Sequence, residues 1–168
     1  MLKVPTQGRP KGDIMANAAT RAAPHTAPKA SADTAAWEHV QNLYADIERQ
    51  LAQAMQRRHG IGLSEYRALE QLSQAPDSER RMQELADSIG LGQSSVTRLV
   101  GRLETAGFAT KDLCPADKRG VYAVISDAGR RRYREARATY AETLTAALDA
   151  AAENPQLAAT VTALRSAG

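Results

Sequence analysis

The chain has 168 residues, with 22 Lys or Arg against 19 Asp or Glu and a single cysteine. That length suits one domain whose core needs no covalent staple, and one cysteine excludes an intrachain disulfide framework. No apolar run approaches the ~20 residues needed to cross a bilayer and the first stretch lacks the apolar segment of an export signal, so a cytoplasmic protein is expected.

The net charge of +3 is unevenly placed. Residues 1–33 carry five bases and two acids, so the remainder sums to zero; within it, residues 80–137 hold twelve bases against seven acids. A neutral body with one basic region is the charge footprint of a nucleic-acid reader.

Residues 1–33 hold Pro5, Pro10, Pro24 and Pro28 without helical or strand period and read as a disordered basic leader. Its bases offer weak, salt-sensitive attraction to DNA, with a passive extension as the plainer reading and Met15 as an alternative start. A long helix is expected over 35–58, capped by Asp33 or Thr34 with Glu38 in its first turn. Trp37, Val40, Leu43, Tyr44, Ile47, Leu51, Ala54 and Met55 make an apolar stripe longer than one small partner helix covers. Gly60 and Gly62 end it, and Ser64 is the expected cap of a helix through 73 with Leu63, Tyr66, Leu69 and Leu72 inward. Pro76, Asp77 and Ser78 form the next boundary, and Arg80 and Arg81 introduce the segment that follows.

That segment, MQELADSIGLGQSSVTRLVGRLETAG over 82–107, reads as two short helices joined by a tight turn. Leu85, Ala86 and Ile89 share one face of the first, Gly90 stops it, and Val96, Leu99, Val100 and Leu103 line the inner side of the second. Outward stand Gln93, Ser94, Ser95, Thr97, Arg98 and Arg102. Short polar groups near a helix start suit base edges in a major groove, and arginines suit bases or phosphates, so a helix-turn-helix is the sharper reading and a plain helical hairpin the blander one.

Residues 108–125 change pattern. Phe108, Thr110 and Asp112 begin one strand, Val121, Tyr122, Val124 and Ile125 form another, and 115–120 make a charged turn. A hairpin tip carrying Lys118 and Arg119 can lie along the phosphate backbone or place a guanidinium in a narrow minor groove. Ser126 and Asp127 can cap a second long helix from about 128, its outer face opening with Arg130, Arg131, Arg132 and Arg134. Tyr133, Ala136, Ala138, Tyr140, Ala141, Leu144, Ala147 and Leu148 supply its packing surface. Asn154 and Pro155 turn the chain into a last helix over 156–164. Two long terminal helices packed across a two-fold axis would set two recognition helices about one DNA turn, ~34–36 Å, apart; a monomer with a large helical core is the alternative.

Over residues 34–166 the chain strongly resembles the MarR family of bacterial winged-helix regulators. LSEYRALEQL, MQELADSIGLGQSSVTRLVGRLETAGF and the wing DKRGVYAVISDAG carry the resemblance by order and spacing together. It implies a mainly α fold with a small β-hairpin wing: dimerisation helices at 34–59 and 127–168, and a winged helix-turn-helix lobe at 63–125. It implies a homodimer on a partly palindromic operator, most often a repressor, released by a small aromatic or anionic ligand. By resemblance, Asp117 and Arg119 match the wing motif, Arg119 entering the minor groove and Asp117 orienting it, while Lys118 contacts a phosphate. Lys111 stands where family wings often carry Arg, a point charge in place of a fork. The family's ligand cleft makes Trp37, His39, Tyr44, Tyr66 and Arg67 the candidate lining groups, although the aromatics are also explained as core.

Cys114 in the wing invites a thiol-redox reading, but no second cysteine can resolve it and peroxide sensors of the family place theirs near the first helix, so an incidental cysteine is the plainer reading. No nucleophile, base and orienting group converge in a recognisable pattern, and Cys114 with His25, His39 and His59 gives no metal spacing, so neither enzyme activity, cofactor nor metal is expected. A pure protein-interaction module would explain the long helices but not the polar face followed by a basic wing.

Overall fold

The structure, a computed structural model, describes residues 31–113 and 120–167. The leader as far as residue 30 and four candidate groups of the wing, Cys114, Asp117, Lys118 and Arg119, lie outside the described residues. The elements run α1 (Ala32–His59), α2 (Leu63–Gln74), β1 (Glu79–Arg81), α3 (Met82–Ile89), α4 (Gln93–Thr105), β2 (Ala109–Leu113), β3 (Val121–Ile125), α5 (Asp127–Ala152) and α6 (Pro155–Ser166). Among the described residues no helix is long and apolar enough to cross a membrane.

Helix ends depart from the sequence expectations wherever a different side chain does the capping. α1 begins three residues early because the Ser31 hydroxyl accepts the Thr34 amide at 3.2 Å, which moves Asp33 from cap to first turn. α2 takes Gly62 as its cap position, with Leu63 already helical: the Glu65 carboxylate reaches back to the Gly62 amide at 2.8 Å, so Ser64 caps nothing. Ser126 does cap α5, accepting the Gly129 amide at 3.0 Å while donating to the Gly107 carbonyl at 2.7 Å. Asn154 caps α6 at the Gln156 amide, 3.0 Å, with Pro155 in the first turn where its missing N–H costs nothing.

The sheet has three antiparallel strands in the order β1-β3-β2. β1, a segment with no strand signal in its sequence, pairs Glu79, Arg80 and Arg81 with Val124, Ala123 and Tyr122. β2 and β3 form the expected hairpin, from Ala109 opposite Ile125 to Leu113 opposite Val121, so Phe108 lies just before the strand.

One core joins α1 to α5 and β3: Leu51 and Met55 of α1, Tyr66, Leu69 and Leu72 of α2, Leu85 of α3, Val96, Leu99, Val100 and Leu103 of α4, Ala123 and Ile125 of β3, and Tyr133 and Ala136 of α5. Both ends of α1 behave differently. Its C-terminal half is in this core, whereas Trp37 and Tyr44 are each 61% exposed and Val40 is exposed beside them. On α5 the expected outer row of arginines is broken. Arg132 turns inward, donating from Nη1 to the His59 carbonyl at 2.9 Å with its guanidinium 5.5 Å from the Phe108 ring centre. Its Nε is buried without a hydrogen-bond partner among the described residues. Arg130 reaches the Ser78 hydroxyl at 2.7 Å.

Candidate nucleic-acid interface and adjoining cleft

The turn between α3 and α4 depends on Gly90, whose φ of 68° is a left-handed conformation that glycine adopts without a Cβ clash. The Leu91 amide closes it onto the Ala86 carbonyl at 2.9 Å. α4 then leaves Gln93, Ser94, Thr97, Arg98 and Arg102 exposed and Ser95 half-buried, with its four apolar residues sealed against the core. Its cap position is Gly92, which offers no side-chain acceptor. The first amides of an uncapped helix start are without intrahelical partners and, with the helix dipole, form a receptor for phosphate.

The long cations on this face are not equivalent. Arg98 bonds its own helix, Nε to the Ser94 carbonyl at 3.3 Å, and has no carboxylate partner among the described residues. Arg102 instead donates from Nε to Glu65 at 2.8 Å, through the carboxylate oxygen that the Gly62 amide does not use. Lys111 lies 3.1 Å from Glu104, an ion pair at the root of the wing that holds the Glu104 carboxyl below its ordinary range. Sequence reading placed Arg102 and Lys111 correctly on the surface but gave no sign of these partners, because Glu65 and Arg102 are far apart in the chain. Between α4, the start of α3 and the sheet lies a hollow of about 410 Å³ that includes Gln93, Thr97, Lys111 and Val121.

A second hollow, about 490 Å³, opens where α1, α2, α3 and α5 meet, lined by Tyr44, Arg67, Glu70, Gln71, Asp87, Ser88, Ile89, Gly90 and Tyr140. Of the five expected ligand groups, Tyr44 and Arg67 are here. Tyr66 is not on its surface: it is 1% exposed, stacked on Tyr140 with ring centres 4.7 Å apart and tilted against Tyr133 at 5.6 Å. Burial and the neighbouring Glu70 charge push its phenol pKa up, so it stays neutral. Trp37 and His39 lie on α1 outside this lining. Glu70, Asp87 and Tyr140 were missed, since helical period assigns a face and not which faces of three helices converge. Arg67 is gripped by Glu48 through its two terminal guanidinium nitrogens, one at 3.2 Å, and this pairing raises its pKa further.

Where α1 ends, His59 Nε2 and the Thr139 hydroxyl are 2.8 Å apart. Burial, then Arg132 and Arg58, lower the His59 pKa against the opposite pull of Glu135. Among the described residues, no three or more His, Cys, Asp or Glu are grouped to hold a metal.

Two short helices joined through a left-handed glycine, followed by an antiparallel wing, define a winged helix-turn-helix protein. Residues 59–120 match the model of the MarR family. The chain is 29% identical over 99 residues to the uncharacterized HTH-type transcriptional regulator YkoM of Bacillus subtilis, an alignment covering 55% of this chain and 62% of that one. It therefore spans less than two thirds of that relative's length. Sco3205, a MarR family transcriptional regulator of Streptomyces coelicolor solved in complex with DNA, superposes with a TM-score of 0.69 at 25% identity over 82% of this chain and 87% of its own. CouR of Rhodococcus jostii RHA1, solved bound to p-coumaroyl-CoA, superposes with a TM-score of 0.57 at 21% identity over 62% of this chain and 71% of its own. The match over residues 59–120 and these superpositions make the chain similar to regulators of the MarR family.

Proposed function

We propose that this chain is a homodimeric, sequence-specific binder of double-stranded DNA that represses transcription in the cytoplasm until a small aromatic effector releases it. The observation that carries the reading is α4: a fully sealed inner face and an outward row of small polar groups with Arg98, beginning at an uncapped helix start. Ser94 and Ser95 near that start read base edges in a major groove, and Arg98 reaches a base or phosphate. In the wing, Arg119 enters the minor groove, Asp117 orients it and Lys118 contacts phosphate.

The exposed Trp37, Val40 and Tyr44 of α1, with Leu164 of α6, support pairing with a second copy. Fully burying a large apolar side chain contributes about 1.5–3 kcal/mol, so four such groups on each protomer supply a substantial part of a dimer's stability. Pairing sets two α4 helices against successive major grooves of a pseudo-palindromic operator. The 490 Å³ hollow joins the long helices to α3, and a ligand there can change the spacing of the two readers. A ligand-bound relative, CouR with p-coumaroyl-CoA, supports an aromatic effector.

The test is selection of bound fragments from genomic DNA followed by anisotropy titration at about 0.15 M salt. A selected duplex should bind more tightly than random competitor, and Ser95→Ala or Arg98→Ala should alter base preference. Uniform weakening on every sequence would assign those two side chains to backbone contacts.

A further inference from the structure

The hollow between the long helices and α3 contains an arginine, which by itself would suggest an acid as ligand. Its electrostatics run the other way. Arg67 is committed to Glu48 in a two-point contact, and each side chain of that pair is little more than a quarter exposed, 28% and 27%. The pair is neutral as a unit, and its fork of donors is occupied. An acid that recruited Arg67 would strand the Glu48 carboxylate.

What stands without an ion pair among the described residues is negative, although Arg137 also acts on Tyr66 and Tyr133, two rings that feel the Glu70 charge. Glu70 of α2 and Asp87 of α3 both line the hollow. The Glu70 carboxylate accepts the Tyr133 hydroxyl at 3.2 Å, and Asp87 accepts the Gln83 amide at 3.0 Å. Both donors are neutral, and no described residue pairs a cation with either acid. Two tyrosines complete the wall: Tyr44, 61% exposed, and Tyr140, held in place by its stack on Tyr66. Tyrosine rings attract a cation through their electron-rich faces and stack on a planar ring. The volume, about 490 Å³, lies in the range of small-molecule sites.

From this geometry we infer that the hollow takes a planar aromatic cation, such as an aromatic amidine or amine, its charge set toward Glu70 and Asp87 and its ring against Tyr44 and Tyr140. The inference rests on the effector reading of the same cleft and assigns the charge of the molecule it receives.

The test uses two probes with the same rings and opposite charge, 2-naphthamidine and 2-naphthoate, titrated calorimetrically into the full-length protein. The amidine should bind at least about tenfold more tightly than the naphthoate, and the E70Q/D87N double variant should lose about tenfold of amidine affinity, the value of a single charged contact or more. Asp87→Asn alone, at an exposed position of α3, serves where the double variant does not fold. Equal or tighter naphthoate binding overturns the assignment, as does amidine affinity indifferent to both carboxylates. If the amidine binds as described but an operator complex survives it, the effector reading fails while the charge assignment stands. Binding of neither probe overturns both.

Discussion

Gly129, in the first turn of α5, has no room for a side chain. A Cβ there would collide with the Phe108 carbonyl oxygen and stand 2.9 Å from Ile125 Cγ1, both on the wing side of the core. Backbone cannot retreat as a flexible side-chain tip can, so Gly129→Ala should destabilise the fold by about 1–3 kcal/mol despite alanine's better helix propensity. Chemical denaturation would show it as a lowered midpoint, and an unchanged midpoint would mean that α5 does not pack on the wing as described. His59 makes a different prediction. The helix C-terminus favours a protonated imidazole, but burial with Arg132 and Arg58 outweighs it and keeps the pKa below the ordinary value. The folded chain thus binds this proton less readily than the unfolded chain. Its neutral form is fully present in both states well above about pH 6.5, and stability is lost as pH falls below that value toward the lower folded pKa. Melting temperature should decline between about pH 7 and 5.5, and His59→Gln, which keeps a hydrogen-bonding group for Thr139, should flatten that decline. None of this was legible in the sequence, where Arg132 falls among four arginines and only packing shows which one turns inward.

At the scale of elements, what could be read was whatever a local period carries. The α3–α4 pair was explicit in the apolar spacing of 85–103 and in Gly90, and the hairpin in the alternation around Val121–Ile125. β1 was not, because Glu79–Arg81 has neither alternation nor apolar content and is a strand only by virtue of β3 beside it. The starts of α1 and α2 failed in the same way: Ser31 and Glu65 outcompete nearer polar residues through geometry that spacing alone does not rank, whereas Ser126 caps α5 as expected. Glu65 has a consequence for function. One carboxylate caps α2 and holds Arg102 of α4, so Arg102 ties α4 to α2 and is already ion-paired. Arg102→Ala should weaken DNA binding with little change in salt dependence, and Glu65→Gln should weaken it similarly and non-additively. Arg98→Ala should reduce the slope of log affinity against log salt by about one per phosphate contact removed. If Arg102→Ala lowers the slope as Arg98→Ala does, or Glu65→Gln tightens binding, the arginine leaves Glu65 for the phosphate backbone and the positioning role is wrong.

Over the whole molecule, the length of the apolar stripe on α1 was the clearest early sign that the chain's own core would not cover it. Trp37, Val40 and Tyr44 are exposed, while Leu51 and Met55, further along the same helix, are sealed. The convergence of α1, α2, α3 and α5 on a hollow was not legible, since it requires the crossing of helices distant in sequence. Introducing charge into the stripe, as Val40→Glu, should convert a dimer to a monomer in sedimentation without changing helix content, because a carboxylate in an apolar contact loses its hydration without gaining a partner. Such a monomer presents one α4, and its operator affinity should fall together with its dimerisation. The most direct measurement of the central claim is the stoichiometry and selectivity of DNA binding by the intact chain, read together in sedimentation and competition titration. A homodimeric operator binder should place two protomers on one selected duplex, with a preference of about 10³ or more over random sequence at physiological salt. One protomer per site, or equal affinity for selected and random duplexes, would contradict it.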